Sequence, residues 1–485
     1  QDGAIAARDQ QVIHIPTGSE SIPDLVTTRI AMNFQSQATN PFLTTLDNVK
    51  RVALNSDGLG QSILLKGYAN EGHDSGHPDY FDIGTRMGGA EDMKTMLAEG
   101  QKYGAEFGIH VNASEFYPEA KSFNEAMVNR SGSSLSYGWN WLDQGIYINR
   151  TYDLASGNRN NRFQRLYDIV GNELDYVYVD VWGGLGESAW ETYKISNEIT
   201  SRGWRIAHEW GYANDWDSTF QHWVSDFAYG NYDNKGKYNS EVFRFLFNSS
   251  KDSFAPDFPT YGGAANAPLL GGAVMQGFEG WQGDVEYDLF IKTLYNQMLP
   301  AKFLQHYNIM KWVDSPNAVS IPYGKTSGGF SWNQKSSWTP EAQVTLQNSD
   351  RTDTIVVTRG SDAEVNEAYA YGTEAEQLEY RSRYMTLNGR VILTGASDPG
   401  DFTSNAVDGD LKYLIPWYWD CNGNRLSEQK EKLYHYSLTG GESSWELPEG
   451  WKSLQTVKIF KLTDTGRTEE QTVSVSNGWV TLSAE

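Results

Sequence analysis

Two acidic residues stand where a chain can use them for chemistry. Asp180 closes the run YVYVD and is followed by Val181 and Trp182; Glu209 closes the run WRIAHE and is followed by Trp210. Both runs are apolar, β-branched and aromatic, which is strand composition. The linker between them starts at Gly183 and ends at Gly203, with Trp190, Tyr193, Ile195 and Ile199 near helical spacing. A strand–helix–strand unit makes its two strands parallel, so both acids leave the sheet at one rim. In a closed barrel of alternating strands and helices, active sites gather at that rim. Glycoside hydrolysis uses two such carboxyl groups, one as nucleophile and one as acid/base.

Plainer roles compete with this one. A charge inside an apolar run is costly unless it is paired or lies at the strand end. Asp180, between Val179 and Val181, therefore reads as a held carboxylate rather than a solvated one. Glu209 has Arg205 and Lys194 as alternative ion-pair partners.

The loop YANEGHDSGHPDY collects His73, Asp74 and His77. Two histidines four apart bind a metal well on a helix, but Gly72, Gly76 and Pro78 make this a loop, where that spacing loses its force. Sugar hydroxyls fit the same residues, because a carboxylate accepts and an imidazole donates or accepts; a structural turn is the third reading. Trp139 and Trp141, in GWNW, alternate in a Gly/Ser-rich loop and suit either a cover over a ligand or an apolar anchor for the loop. Trp182, next but one to Asp180, joins His73 and Asp74 among the candidate sugar contacts. Asp398, Asp401, Asp408 and Asp410 form an acidic loop without a recognised calcium spacing, so neither a structural calcium nor a cofactor is expected. WGGLGE lacks the Lys of a phosphate cradle. Two rival function classes remain: a metal-dependent barrel hydrolase using His73, His77, His110 and His208, and a glycan-binding protein without turnover.

Elements that could position these residues alternate along the chain. Strands are expected at 28–34, 61–67, 105–113, the two acid-tipped runs, 222–229 and 268–276, with an eighth near Ile309–Trp312. Helices are expected at 42–53, 89–104, 160–171, 239–248 and 285–298. The fold class is α/β, a (β/α)₈ TIM-like barrel over 24–315, after a lead-in over 1–23 from an upstream domain. Beyond it the texture becomes short, alternating and turn-bounded, which predicts an all-β sandwich domain over 316–415 and a small β region over 416–485 that closes or extends it. Asn388-Gly389 and Asn477-Gly478 are hairpin signals, and the segment 397–417 is a candidate joint between two β parts.

At 485 residues the chain is too long for one core. A formal net charge of −23 disfavours nucleic acid and anionic membranes as partners, since phosphate binding needs clustered Lys and Arg. The 17 Trp and 28 Tyr often neighbour Gly, Asn and Asp, which suits ring faces packed on sugars as well as a β-rich core. Cys421 is the single cysteine, so no disulfide framework is expected. No run is long enough to span a membrane, and residues 1–23 lack a signal pattern.

Taken together, these residues resemble the endo-α-N-acetylgalactosaminidases, glycoside hydrolase family 101. The matching segments are DGAIA, RIAMNFQSQATNPFL, LKGYANEGHDSGHPDY, GIHVNASEFYPEA, GWNWLDQ, YVDVWG, GWRIAHEWG, FQHWVSDFAYG and KLYHYSLTGG, spread over nearly the whole chain. The resemblance implies an enzyme that releases Galβ1-3GalNAc from Ser or Thr of mucin-type O-glycoproteins, with retention at the anomeric carbon. It implies Asp180 as nucleophile and Glu209 as acid/base. It further implies Asp74 as a sugar-holding residue, Trp139 and Trp141 as a cover over substrate, and Gln282, in GFEGWQGD, as another contact. Mucin-type glycopeptides are then the partners, a bacterial protein acting outside the cell or at its surface is the setting implied, and a monomer is expected.

Overall fold

The computed structural model describes residues 31–35, 40–73, 75–140, 144–182, 189–208, 218–221, 287–313, 325–326, 329–330, 343–359, 378, 382–398 and 408–484. They fall into two compact units, one reaching to Gln221 and including 287–291, the other starting at Lys292.

The first unit is built on a parallel sheet. Its strands are β1 (Ala31–Gln35), β2 (Gln61–Leu65), β3 (Ala105–Asn112), β4 (Tyr176–Asp180), β5 (Arg205–His208) and β6 (Ser218–Gln221), lying side by side in chain order. Every adjacent pair is parallel. Helices α1 (Phe42–Asn55), α2 (Gly89–Gln101), α3 (Asn158–Val170) and α4 (Ala189–Thr200) lie in the first four connections. This is the α/β architecture expected from the sequence. The strands expected at 222–229 and 268–276, and the helix at 239–248, lie outside the described residues.

Local chemistry explains the helices. Pro41 precedes α1, where a missing N–H costs nothing, and Phe42, Leu46, Val49 and Val52 bury one stripe. In α2 the buried set is Met93, Met96, Leu97 and Gly100, and Glu91 and Asp92 lie in the first turn, where negative charge complements the helix dipole.

Each strand of the sheet has two faces with different tasks. Ile63, Leu65, Phe107, Ile109, Val111, Val177, Val179 and Ile206 pack with Phe42, Leu46, Val49, Met96, Phe163, Leu166, Ile195 and Ile199 into the sheet–helix core. The opposite face carries Leu64, Tyr176, Tyr178 and Ala207 as a second, smaller cluster. Side chains alternate along a strand, so Asp180 shares the face of Tyr176 and Tyr178. Gly108, paired with Tyr176, leaves room for that ring: a Cβ there would lie 2.0 Å from it.

The second unit holds a seven-stranded antiparallel sheet. Its strands are β7 (Asn308–Val313), β8 (Gln343–Gln347), β9 (Thr354–Arg359), β10 (Ser382–Leu387), β11 (Arg390–Ala396), β12 (Lys412–Trp417) and β13 (Lys432–Ser437), again in chain order. Two expectations change here. The run Ile309–Trp312 is not a strand of the parallel sheet; as part of β7 it pairs antiparallel with β8. The segment 397–417 does not join two sheets, because it ends in β12, which lies between β11 and β13.

Asn388-Gly389 makes the expected hairpin between β10 and β11, both residues at positive φ. Asn477-Gly478 turns in the same way, but the flanking strands β16 (Gly466–Ser474) and β17 (Trp479–Ala484) pair elsewhere. β16 pairs with β15 (Thr456–Thr463), and β17 with β14 (Gly441–Glu446). These strands form the second layer: Trp445, Leu447, Val480 and Leu482 bury against Leu414, with Val391 and Leu433 alongside.

Gly108→Ala forces the Tyr176 ring to move within a packed interior, which should destabilise the protein by about 1–3 kcal/mol. Denaturant unfolding measures this; an unchanged midpoint would show that the ring is not confined by β3.

Candidate active site

β4 delivers Asp180 to the rim, and β3 supplies its neighbours. The register sets Asn112 opposite Asp180 and His110 opposite Tyr178. The Asp180 carboxylate accepts from Tyr178 Oη at 3.0 Å on Oδ1, and His110 Nε2 lies 3.1 Å from Oδ2. Because a carboxylate only accepts, this contact requires a hydrogen on Nε2. The Asp180 side chain keeps 17% of its exposure while His110 is fully buried, so the carboxylate can still be approached from the rim.

Burial on its own would raise the Asp180 pKa. The charge and hydrogen bond of His110 outweigh that, with Lys66 and His73 adding to them, and the group is held well below the usual carboxylate range. Asp180 is therefore an anion at neutral pH. Its contribution to stability is present above the unfolded value of about 3.9 and is lost as pH falls through the lower folded value.

Three imidazoles crowd this carboxylate. The His73 ring is 4.5 Å and the His77 ring 6.0 Å from the ring of His110, centroid to centroid. Burial, followed by Lys66 and His110, holds His73 well below its ordinary pKa. Burial and then His110 push His77 down to about 3, and its Nδ1 accepts the Asn112 N–H. His77 is thus a neutral acceptor fixed to β3.

The rival set of metal ligands does not assemble as the sequence suggested. His208 pairs in register with Val179, so it shares the helix-facing side of the sheet and not the face of His110 and Asp180. Among the described residues no three of His, Cys, Asp and Glu are grouped to hold a metal ion.

The backbone turns sharply after the acid. Val181 has φ +50°, a conformation that β-branched residues rarely adopt and that costs on the order of 1–3 kcal/mol. Ser114 Oγ donates to the Val181 carbonyl at 2.5 Å and ties this turn to the loop after β3. Strain of this kind at a rim carboxylate is a mark of a functional position.

The remaining sequence candidates divide. Trp139 is half exposed, at 51%, on the loop that follows Gly138. Trp182 is fully buried in the sheet–helix core with the Arg159 and Arg150 guanidinium groups over its ring. It packs the fold and does not offer the open ring face expected for a sugar contact. Asp398, from the acidic loop, pairs with Lys292 at 2.6 Å and accepts the Gly409 N–H. Glu209, Asp74, Trp141, Gln282 and Asp401 lie outside the described residues.

Sequence reading missed Tyr178, Asn112 and Glu115. Tyr178 could have been found from strand period, since it lies two residues before Asp180 on the same face.

Removing the His110 imidazole leaves burial less opposed, so the Asp180 pKa should rise. In His110→Ala, the acid limb of any activity that needs ionised Asp180 should move up by about 1–3 pH units. A rate profile against pH checks this; a limb in its wild-type place would mean that His110 does not set the charge of Asp180.

Comparison with known proteins places the chain in a family. Residues 1–291 match the family described as Endo-alpha-N-acetylgalactosaminidase, and residues 297–468 match the Glycosyl hydrolase 101 beta sandwich domain. A protein of Renibacterium salmoninarum, provisionally named endo-alpha-N-acetylgalactosaminidase, is 34% identical over 490 residues. The match takes in all of this chain, which spans 27% of that relative's length. Among solved structures, a ligand-free alpha-N-acetylgalactosaminidase of Bifidobacterium bifidum overlaps 70% of this chain and 60% of its own at 14% identity, with a TM-score of 0.44. A maltogenic alpha-amylase of Thermotoga neapolitana overlaps 95% and 97% at 9% identity, with a TM-score of 0.42. Likenesses that distant say nothing about substrate. The two sequence matches do decide the family: this chain belongs to the endo-alpha-N-acetylgalactosaminidases of the glycoside hydrolases.

Proposed function

We propose that the chain carries the catalytic part of a retaining endo-acting glycosidase that releases Galβ1-3GalNAc from Ser or Thr of mucin-type O-glycoproteins. The observation that carries this reading is Asp180: a rim carboxylate kept ionised by His110 and Tyr178, yet open to an incoming group. Family membership supports the glycan class.

In this reading, Asp180 attacks the anomeric carbon of GalNAc and forms a glycosyl-enzyme. Glu209 is assigned from its strand-end position in sequence and from the family resemblance. It gives its proton to the departing Ser or Thr oxygen, then takes one from water as the ester is hydrolysed. Once Asp180 is esterified its charge is gone, so Glu209 ionises more easily for its second role. Asp74, His73, Trp139, Trp141 and Gln282 are proposed sugar contacts, and Trp182 is not among them. No cofactor takes part in this scheme, and the setting proposed is outside a bacterial cell.

Incubation with a core-1 glycopeptide should yield the free disaccharide. Loss of galactose alone, or no product, would redirect the assignment. Asp180→Asn should bind glycopeptide and not turn it over; sustained turnover would remove Asp180 from the chemistry. Glu209→Gln should slow glycopeptide cleavage roughly 10²–10⁴-fold while sparing the first step with a good phenolic leaving group. Equal slowing with both leaving groups would deny Glu209 the acid role.

A further inference from the structure

Glu115 is a buried carboxylate for which the scheme above has no use. It lies three residues past the end-of-strand Asn112, and only 1% of its surface is exposed. Its Oε2 accepts from Asn112 Nδ2 at 2.8 Å and from Tyr117 Oη at 3.0 Å. Its Oε1 accepts the backbone N–H of Trp139 at 2.7 Å. These three donors are neutral, which is an expensive way to bury a carboxylate.

The loop that bears Trp139 is shaped around this group. Gly138 N donates to the Gly145 carbonyl, and Gly145 N to the Trp139 carbonyl, closing a narrow base. Gln144 Nε2 reinforces that base by donating to the Gly145 carbonyl at 2.8 Å. A Cβ on Gly138 would lie 2.0 Å from Glu115 Oε1, and one on Gly145 would lie 3.0 Å from Oε2. A side chain on Gly138 would therefore push the loop off the carboxylate, and Gly145 sits tight against it.

The other end of the contact reaches the nucleophile. Asn112 pairs in register with Asp180, and its Oδ1 accepts the N–H of Ser114 and of Glu115. Asn112 therefore has a fixed amide orientation, with its Nδ2 committed to Glu115. Ser114 in turn holds the Val181 carbonyl. Burial raises the Glu115 pKa against the pull of its three donors, and the charge of Asp180 adds to the rise, so the two carboxylates sense each other.

We propose that Glu115 is a positioning residue for the glycosidase reaction: a buried acceptor that fixes Trp139 and the base of its loop against the strand ends that carry Asn112 and Asp180. The reaction itself is that of the proposed function, on which this assignment rests. Trp139 then meets the sugar from a preset place, and the preset comes from one carboxylate shared between the loop and β3.

Two substitutions break the same contact from opposite sides. Glu115→Gln keeps the shape but turns one acceptor into a donor, against either the Trp139 N–H or the Asn112–Tyr117 pair. Gly138→Ala pushes the loop off an intact Glu115. Hydrogen exchange followed by mass spectrometry should show the amides of Gly138, Trp139 and Gly145 exchanging at least about tenfold faster in both variants, with the sheet strands unchanged. KM for the core-1 glycopeptide should rise about tenfold in each, with kcat within about twofold, since a contact made alike in ground and transition states is lost. The double variant should be no worse than either single one. Unchanged exchange in the loop would overturn the assignment, as would additive losses or a fall in kcat that follows the folded fraction. Exchange needs no substrate, so a loosened loop in a protein without turnover would fault the proposed function and leave the clamp standing.

Discussion

A carboxylate that must stay charged while mostly buried is the constraint that shapes the rim of this sheet. Taking an anion out of water is unfavourable by several kcal/mol unless donors replace the lost hydration. Asp180 finds them in Tyr178, on its own strand, and in His110, on the next. Both donors depend on register. A slip of one residue between β3 and β4 would exchange the faces of one strand, and His110 would face the helices. The packing of Phe107, Ile109, Val111, Val177 and Val179 against the helices therefore does more than stabilise the fold. It fixes which alternate residues point to the other side.

The same arrangement gives two of the gathered histidines places of their own beside His110. His77 is kept neutral and accepts from the backbone of Asn112, and His73 is packed edge-on against His110. Both rings lie beside the buried His110, whose Nε2 is 3.1 Å from the Asp180 carboxylate. Around this centre, the strained Val181 and its tie to Ser114 set the direction in which the chain leaves the acid. Positions next to Asp180 are thus among those with least freedom to relax.

Parts of this were legible in the sequence for a physical reason. Apolar alternating runs that end in an acid, separated by a helix-period segment, admit few arrangements other than parallel strands, and β4 and β5 pair in parallel, with Asp180 at the end of β4. Other parts were hidden. Ile309–Trp312 alternates as any half-buried strand does, and period cannot tell which sheet a strand joins; its partner lies in β8. Trp182 follows the acid closely, but the turn at Val181 buries the ring among the helices instead of at the rim. Glu115 gave no sequence signal, because its role depends on a loop 24 residues further along. The set His73, His77, His110 and His208, a rival reading as metal ligands, is divided by strand parity, which places His208 on the other face.

The family assignment gives the chain its chemical class, and the geometry gives Asp180 its charge. Under the proposed function, the two together call for a covalent intermediate on Asp180. The most direct measurement uses the Glu209→Gln protein and a core-1 disaccharide linked to an activated phenol, quenched in acid within the first turnovers, digested and sequenced by mass spectrometry. The account predicts the disaccharide mass as an ester on Asp180. An ester on another residue, or release of product with inverted anomeric configuration and no labelled peptide, would contradict it.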